Sequence, residues 1–324
     1  MRAALFRGTG PADEVLSVEE VEPPPLGPND VGVRVSVSAV NPTDWKERSR
    51  GAGPGEAGFK VPNQDGAGTI EAVGADVDPA RVGERVWVYF AAWKRRWGTA
   101  AELCVLPSRQ AVALPDSVSD DLGASLGIPA LTAHRCLFAD GPIDGATVLV
   151  SGGAGAVGHY AIELAKWRGA RVITTVSGDQ KAELAADAGA DAVVNYRVED
   201  AAERIAELAP AGVDRVVEVA LHRNLDLDRA VCGEHASIAA YANGGSVKLA
   251  VRELMVRNLN VRFVLVYTMP EPALALAVSE VSEALAAGAL SELPAHRFTL
   301  DRIAAAHDAV EAGAVGKVLV DLAG

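Results

Sequence analysis

Apolar and polar residues follow two different patterns along the chain. Up to about residue 121, short β-like runs such as Val31 to Val40 and Val82 to Phe90 are separated by clusters of Gly, Pro and Asp. Such runs between turn-forming residues predict a compact β-rich domain. From Asp144 onward, short apolar strands alternate with Ala-rich segments of helical periodicity. This alternation predicts a parallel sheet with helices on both faces, so the fold class is α/β.

The second pattern also predicts individual elements. The predicted strands are Thr147 to Ser151, Arg171 to Val176, Ala192 to Val194 and Arg215 to Val219, and the predicted helices are Val157 to Arg168, Lys181 to Ala188 and Glu199 to Leu208. Pro270 and Pro272 then precede a long helix rich in Ala, Leu and Val. The last segment, from Pro294, predicts a strand, a helix from Leu300 to Ala312 and a strand from Lys317 to Asp321. We expect this tail to return to the first domain.

Length and composition exclude several classes of protein. A chain of 324 residues is long enough for two domains, and 49% apolar with 23% charged residues is an ordinary globular balance. The net charge of -13 disfavours nucleic-acid and membrane partners. We find neither a signal-peptide pattern nor a long apolar run, so we expect a cytoplasmic protein. Its three cysteines are widely spaced and predict reduced core thiols.

A glycine-rich turn carries the strongest chemical signal. Gly153, Gly155 and Gly158 have GxGxxG spacing directly after a predicted strand and at the start of a predicted helix. In this context the glycines allow a tight turn and let the backbone approach a pyrophosphate at the positive end of the helix. A glycine-rich turn without a ligand is the alternative. The context favours a dinucleotide site.

The end of the next strand distinguishes the two nicotinamide dinucleotides. Enzymes that prefer NAD usually carry an acid there, which binds the ribose 2′-OH and repels a 2′-phosphate. This chain has Ser177 at that point, with Lys181, Tyr196 and Arg197 following as possible phosphate donors. The pattern therefore favours NADPH over NADH, although Lys181 taken alone is equally compatible with a solvated lysine.

Several sequence blocks in the right order resemble the medium-chain dehydrogenase/reductase superfamily, and within it the quinone oxidoreductase branch that includes zeta-crystallin. The resemblance covers nearly the whole chain. The blocks are Asn41 to Asp44, Asn63 to Gly74, Gly127 to Ala133, the Gly153 turn, Val194 to Arg197 and Ala305 to Lys317.

This resemblance implies a fold and an assembly. Residues 1–121 and 285–324 are expected to form a GroES-like β-rich domain, and residues 122–284 a Rossmann domain that binds NADPH. Family members usually form homodimers through the cofactor domain. The partner implied by the resemblance is a small quinone or another conjugated carbonyl compound.

The resemblance also implies which residues contact the cofactor. The pyrophosphate loop would include Ala154, Gly155, Ala156 and Val157, and the adenosine phosphate site Ser177, Lys181 and Tyr196. Lys317, in the last matching block, is assigned to the cofactor as well. The nicotinamide half would be lined, mostly through backbone groups, by Thr132, His222, Ala239, Ala240, Tyr241, Ala242, Val264, Leu265 and Val266.

Zinc ligands are missing from the matching positions. Zinc-dependent members of the superfamily have Cys, a His-Glu pair and a further Cys where this chain has Asn41, Gln64-Asp65 and Ile128. We therefore predict no metal. Without a Lewis acid to polarise a carbonyl, substrates that are already electrophilic through conjugation, such as quinones and enones, are favoured over alcohols.

The substrate side of the site is less specific. By resemblance, Asn41, Asp44 and Lys46 are the catalytic residues, with Lys46 replacing the Tyr that is usual in the family. Lys46 either binds a developing oxyanion or pairs with Asp44 or Glu47 and points to solvent. Trp45, Trp93 and Trp97 are predicted to contact a flat substrate, whereas Trp87 is predicted to be core.

Three functions remain open at this point. The first is NADPH-dependent reduction of a quinone. The second is reduction of an enone, an enoyl compound or a larger natural product by the same chemistry. The third is NADPH binding without turnover, as in a crystallin-like or regulatory protein, because the cofactor itself carries the hydride and the protein supplies orientation and electrostatics.

Overall fold

A computed structural model describes residues 1–51, 53–55 and 58–322 of the chain. These residues form two compact units: unit 1 is Met1–Ile128 with Glu292–Gly324, and unit 2 is Pro129–Ser291. The predicted boundaries, 121/122 and 284/285, lie a few residues earlier in both cases. The first dividing point falls within a helix, Asp120–Phe138, at its internal Pro129.

Unit 1 is built on a mainly antiparallel sheet. Numbered along the chain, its strands are β1 (Arg2–Phe6), β2 (Leu16–Glu20), β3 (Asp30–Val40), β4 (Asp65–Val73), β5 (Arg85–Val88), β6 (Leu103–Pro107), β7 (Ala111–Ala113), β14 (Ala295–Thr299) and β15 (Lys317–Asp321). Its helices are α1 (Ala12–Val15), α2 (Pro42–Arg50) and α10 (Ile303–Glu311). The strand order is β14-β15-β3-β4-β5-β7, β6 also pairs with β3, and β1 and β2 form a separate hairpin.

The C-terminal tail completes this sheet. β15 runs antiparallel to β3 with Val318 opposite Val40, and β14 runs parallel to β15. The predicted return of the tail to the first domain is therefore confirmed. The predicted strand from Val82 to Phe90 is too long, because Gly83 and Phe90 adopt positive φ angles of 91° and 56° and only β5 between them pairs. Trp87 lies in β5 and is fully buried, as predicted.

Unit 2 contains a six-stranded, wholly parallel sheet. Its strand order, β10-β9-β8-β11-β12-β13, is that of a Rossmann dinucleotide-binding fold. This confirms the predicted α/β fold class. The strands are β8 (Thr147–Ser151), β9 (Arg171–Val176), β10 (Ala192–Asn195), β11 (Val213–Glu218), β12 (Cys232–Ala240) and β13 (Asn260–Phe263).

The helices of unit 2 alternate with its strands along the chain. They are α4 (Ala156–Trp167), α5 (Asp179–Asp187), α6 (Ala201–Leu208), α7 (Leu221–Val231), α8 (Val251–Val256) and α9 (Glu271–Ala286), while α3 (Asp120–Phe138) contains the dividing point of the two units. Among the described residues, no helix is both long and apolar enough to cross a bilayer. All three cysteines are buried free thiols, as the sequence predicted.

Candidate functional site

The glycine-rich turn connects the first strand of the parallel sheet to a helix. β8 ends at Ser151, the turn follows, and α4 begins at Ala156 with Gly155 as its N-cap. Gly152 has a φ of 75°, which only glycine adopts without strain. The first-turn N–H groups of a helix have no partners within it and form the positive end of its dipole. The turn therefore offers backbone donors to an anionic group.

Two further glycines are required by close packing. A Cβ on Gly153 would lie 2.2 Å from Thr174 Oγ1, and a Cβ on Gly158 would lie 2.3 Å from the Gly152 carbonyl oxygen. Any side chain at either position would push the turn away from β9 or from the start of α4. The motif thus has the strand–turn–helix context that separates a dinucleotide-binding turn from a merely glycine-rich one.

The predicted adenosine phosphate residues come together at the ends of β9 and β10. Lys181 Nζ donates a hydrogen bond to Ser177 Oγ at 3.0 Å. Tyr196 is anchored by its backbone N–H, which donates to the Val176 carbonyl at 3.1 Å, and about half of its surface is exposed. Hydroxyl, ammonium and phenol groups are thus available here, and the position that carries an acid in NAD-preferring enzymes is a serine.

A cavity of about 250 Å³ adjoins this group. Its lining includes residues that sequence reasoning missed, because they follow β11 and only the strand order brings them beside β8 and β9. The usable signal was the rule that ligands bind at the carboxyl ends of parallel strands. The lining residues are Ser151, Gly152, Thr175, Tyr196, Val219, Ala220, Arg223, Asn224 and Leu227.

An acid also lies at this edge, but its oxygens are used by the protein. Glu218 accepts hydrogen bonds from Ser151 Oγ at 2.6 Å, from Asn224 Nδ2 at 3.1 Å and from the Ala220 amide. Burial, followed by the neighbouring Glu218 carboxyl, raises the pKa of Asp228 well above its usual value. The oxygens of Glu218 are therefore engaged within the protein, and burial disfavours the charged form of Asp228.

A second cavity, of about 450 Å³, gathers most of the residues predicted for the nicotinamide half. His222, Ala240, Tyr241, Ala242, Val264 and Leu265 line it, together with the unpredicted Leu221, Asn243, Gly244, Gly245, Val247, Phe263 and Thr268. Thr132, Ala239 and Val266 are buried and do not line it. Gly244 approaches the His222 ring closely, since a Cβ there would lie 2.0 Å from it.

The predicted catalytic residues lie in unit 1, at the start of α2. Asn41 is the N-cap of this helix, and its backbone N–H donates to Asp44 Oδ2 at 2.7 Å. Both residues are buried, and Asp44 Oδ1 has no hydrogen-bond partner among the described residues. Burial, followed by the nearby Asp65 and Glu47 carboxyls, raises the pKa of Asp44 well above its usual value, although the Asn41 amide opposes the shift.

Lys317 lies in this same part of unit 1. Its Nζ donates to Asn41 Oδ1 at 2.7 Å, and Asn41 Nδ2 donates to Asp65 Oδ2 at 2.7 Å. The Ile128 amide donates to the same Asp65 oxygen at 2.9 Å. Burial raises the pKa of Asp65 to about 6 against the opposing effect of Lys317. The residue assigned by resemblance to the cofactor therefore contacts a predicted catalytic residue.

The predicted substrate residues are spread over two parts of unit 1. Lys46 Nζ lies 5.7 Å from the centre of the Trp45 ring, and Arg50 lies over the same ring. No ion pair joins Lys46 to Asp44 or Glu47 within the described part of the chain; Glu47 pairs with Lys60 instead. Burial and the nearby Arg50 lower the pKa of Lys46. The predicted pairing of Lys46 is thus absent, and the oxyanion role stays a prediction.

The tryptophan-rich loop divides into two environments. Trp97 packs edge-on against Phe59, with ring centres 5.3 Å apart, and contacts the core of unit 1. Trp93 is half-buried, with Lys94 Nζ 5.8 Å from its ring centre. Of the two side chains, Trp97 is the one that packs against the core cluster of unit 1.

The positions that would carry zinc do meet, but with unsuitable groups. Asn41 and the Ile128 backbone both contact Asp65, and the Lys317 ammonium stands against Asn41. Zinc prefers thiolate, imidazole and carboxylate ligands in a tetrahedral set. Among the described residues, no group of three or more His, Cys, Asp and Glu side chains is arranged to hold a metal. These residues do not fit zinc.

Comparison with known families accounts for both units. Residues 27–116 match the alcohol dehydrogenase GroES-like domain, and residues 156–283 match the zinc-binding dehydrogenase family. An alcohol dehydrogenase of Geobacillus stearothermophilus is 32% identical over 232 residues, which cover 64% of this chain and 68% of that protein. The chain belongs to the medium-chain dehydrogenase/reductase superfamily. This confirms the resemblance seen in the sequence.

Other superfamily members place the chain in the quinone oxidoreductase-like branch. Human quinone oxidoreductase is 25% identical over 326 residues, covering 99% of this chain and 97% of that protein. A zinc-type alcohol dehydrogenase-like protein of Schizosaccharomyces pombe is 34% identical, but the match spans only 64% of this chain and 62% of that protein.

Solved structures of superfamily members show the same fold. Escherichia coli quinone oxidoreductase, solved as a complex with NADPH, superposes with a TM-score of 0.86 at 25% identity, covering 99% of this chain and 100% of that one. An NAD-dependent alcohol dehydrogenase gives a TM-score of 0.89 at 26% identity, with the same coverage. Overall similarity of fold therefore does not distinguish NADPH from NAD. The residues at the end of β9 are the feature that distinguishes these two cofactors.

Proposed function

We propose that this protein is an NADPH-dependent reductase that transfers a hydride to a quinone or another conjugated carbonyl compound without zinc. The observation that carries the proposal is the pairing of Lys181 Nζ with Ser177 Oγ, 3.0 Å apart, beside the glycine-rich turn. These two groups can receive a 2′-phosphate, whereas an acid at this point would repel one. The NADPH complex of the E. coli quinone oxidoreductase supports the same choice.

The residues of unit 2 fit this cofactor. The turn from Gly152 to Gly155 would hold the pyrophosphate against the start of α4, with Ser177, Lys181 and Tyr196 on the adenosine phosphate. The cavity that contains His222 and Val264 would take the nicotinamide half, mostly through its backbone groups. When bound, NADPH supplies the hydride, and the protein fixes its position and excludes water.

Zinc independence is supported by the chemistry of the donor set. The expected ligand positions carry the Asn41 amide, Gln64, the Asp65 carboxylate and the Ile128 backbone amide, and no thiolate or imidazole. The Lys317 ammonium beside Asn41 would repel a divalent cation. A reductase without a Lewis acid needs a substrate that is already electrophilic, which favours quinones and enones over alcohols.

Lys46 is the proposed partner of the oxyanion that hydride addition creates. Its ammonium is half-buried, and no described acid neutralises it, so it is available to a substrate anion. A charged donor in such surroundings stabilises a developing oxyanion more strongly than a neutral hydroxyl does. Trp45 and Trp93 would supply flat apolar surface for the ring.

The proposed function is tested by following NADPH absorbance with quinones and enones measured side by side. Steady oxidation of NADPH by a simple quinone such as 1,4-benzoquinone, and much slower oxidation of NADH, is the expected result. Tight NADPH binding without turnover on any acceptor would show a binding protein instead. Faster turnover of enones than of quinones would make enones the substrate class, with the same hydride transfer from NADPH.

We also propose that the protein is a cytoplasmic homodimer that pairs through unit 2. The outer edge of β13 has no partner strand among the described residues, and Phe263 on this strand is 69% exposed. Val251, Met255 and Val256 of α8 are also exposed. An open edge with apolar neighbours is suited to a second copy of the chain. Light scattering should give the mass of a dimer, and Phe263→Arg should lower it to that of a monomer.

The buried free thiols agree with the proposed cytoplasmic location, because the cytoplasm is a reducing compartment.

A further inference from the structure

Four buried polar side chains form a cluster where the C-terminal strand of unit 1 meets the start of α2. Asn41, Asp44, Asp65 and Lys317, here called the polar cluster, are each at most 3% exposed. The strand register explains why they meet. Val318 pairs with Val40, so Lys317 stands opposite Asn41, and Ala39 pairs with Asp65 from the other side.

Charge fixes the orientation of the Asn41 amide within this cluster. Its Oδ1 accepts from the Lys317 ammonium and its Nδ2 donates to the Asp65 carboxylate, both at 2.7 Å. A flipped amide would place its NH₂ against the ammonium and its oxygen against the carboxylate. Since ammonium groups only donate and carboxylates only accept, the observed orientation is the one that satisfies all three groups.

The fixed asparagine is also the first residue of a helix that carries proposed site residues. Asn41 caps α2, and its backbone N–H donates to Asp44 Oδ2 at 2.7 Å. Trp45 and Lys46 lie in the first turn and a half of this helix. The position of the Lys46 backbone therefore depends on a hydrogen-bond chain that begins at Lys317.

Lys317 is the cation within the cluster. Asp44 Oδ1 and Asp65 Oδ1 have no hydrogen-bond partner among the described residues. A buried carboxylate is tolerated only with a compensating charge or hydrogen bonds, and breaking a buried ion pair strongly destabilises a protein. The ammonium thus orders Asn41 by a direct hydrogen bond and favours the charged form of Asp65 by electrostatic attraction.

We propose that Lys317 is a positioning residue for the reduction and not a cofactor ligand: its ammonium acts as a built-in cation at the would-be zinc position and orients Asn41, and through it the helix that carries Lys46. This inference rests on the proposed function for its catalytic meaning. Its structural content concerns unit 1 alone. The two can fail separately, because wild-type turnover tests the function and variants of Lys317 test the inference.

The test compares three variants with the wild-type protein. Lys317→Met removes the charge and keeps most of the length. Lys317→Met combined with Asp65→Asn removes both charges, so that Asp65 is not left as a buried carboxylate without a counter-charge. Arg81→Met is the control, because Arg81 is a half-buried cation of unit 1 whose partners, Glu84 and the Ser108 and Ala111 carbonyls, lie outside α2.

We expect Lys317→Met to lower kcat for quinone reduction at least tenfold while changing the Kd for NADPH less than threefold. The double variant should recover thermal stability but keep the low kcat, because its Asn41 amide has no charged partner. Arg81→Met should keep a kcat within threefold of wild type. Where the single variant does not fold, the double variant carries the test.

Two further readouts separate positioning from general damage. Loss of the Lys317 charge should shift the acid limb of the kcat profile to higher pH, because Lys317 is the charge that opposes the effect of burial on the pKa of Asp65. The double variant should lack this limb. Hydrogen exchange of α2 amides should accelerate in Lys317→Met even without turnover. Folded variants with wild-type kcat and wild-type exchange, or a loss confined to NADPH affinity, would overturn the proposal.

Discussion

Replacing Lys181 by methionine removes one ammonium from the group that we assign to the 2′-phosphate. The ammonium now donates to Ser177 Oγ at 3.0 Å and remains partly open to solvent. A hydrogen bond to a charged group contributes about 1.5 to 3 kcal/mol, and solvent screening favours the lower part of that range. The Kd for NADPH should therefore rise about ten- to thirtyfold. NADH has no 2′-phosphate, so its Kd should change less than about threefold.

Titration of both cofactors by fluorescence checks this directly. Lys166→Met is the matched control, because Lys166 is a lysine of unit 2 whose ammonium pairs with Asp191 at 2.8 Å, away from the turn. It should leave both affinities unchanged. Equal affinity of the wild-type protein for NADPH and NADH, or an equal loss of both in Lys181→Met, would refute the reasoning from Ser177 and Lys181.

The remaining predictions concern metal, substrate and pH. Exhaustive chelation should leave the reductase activity intact, and elemental analysis should find no stoichiometric zinc; joint loss of zinc and activity would contradict this. Trp93→Ala should raise KM for an aromatic quinone, because about 1 to 3 kcal/mol of stacking energy is lost. Lys46→Met should lower kcat and kcat/KM together. Steady-state kinetics of both variants test these two expectations. Burial, aided by Arg48, lowers the pKa of His307 to about 3. Between the unfolded pKa of about 6.5 and that value only the unfolded state is protonated, so stability should fall with acidification by up to about 1.4 kcal/mol per pH unit. In His307→Gln, the free energy of unfolding measured with urea should depend less steeply on pH than in the wild-type protein.

Local features of the site could be read from the sequence because their signals are contiguous. The turn at Gly153 is encoded within one strand–turn–helix stretch, and Ser177 and Lys181 lie four residues apart at the start of α5. Helix α2 left no such signal: Pro42–Arg50 is almost entirely polar and lacks an apolar stripe. Its start is marked by the Asn41 and Asp44 capping pair and by Pro42 at the first helical position.

Features that depend on strand order could not be read in this way. Arg223 and Asn224 line the first cavity because β11 lies beside β8 in the sheet. These two strands are not consecutive in the sequence, so the order of elements along the chain does not predict that they are neighbours. Lys317 shows the same limit. The resemblance assigns it to the cofactor, whereas the register of β15 against β3 places its ammonium on Asn41.

The most direct test of the account is the rate of NADPH oxidation by the metal-free wild-type protein with a simple quinone, compared with the rate for NADH. We predict sustained turnover with NADPH after chelation and a rate at least tenfold lower with NADH at equal low concentration. Absence of turnover with every quinone and enone, or activity that requires added zinc, would contradict the central claim.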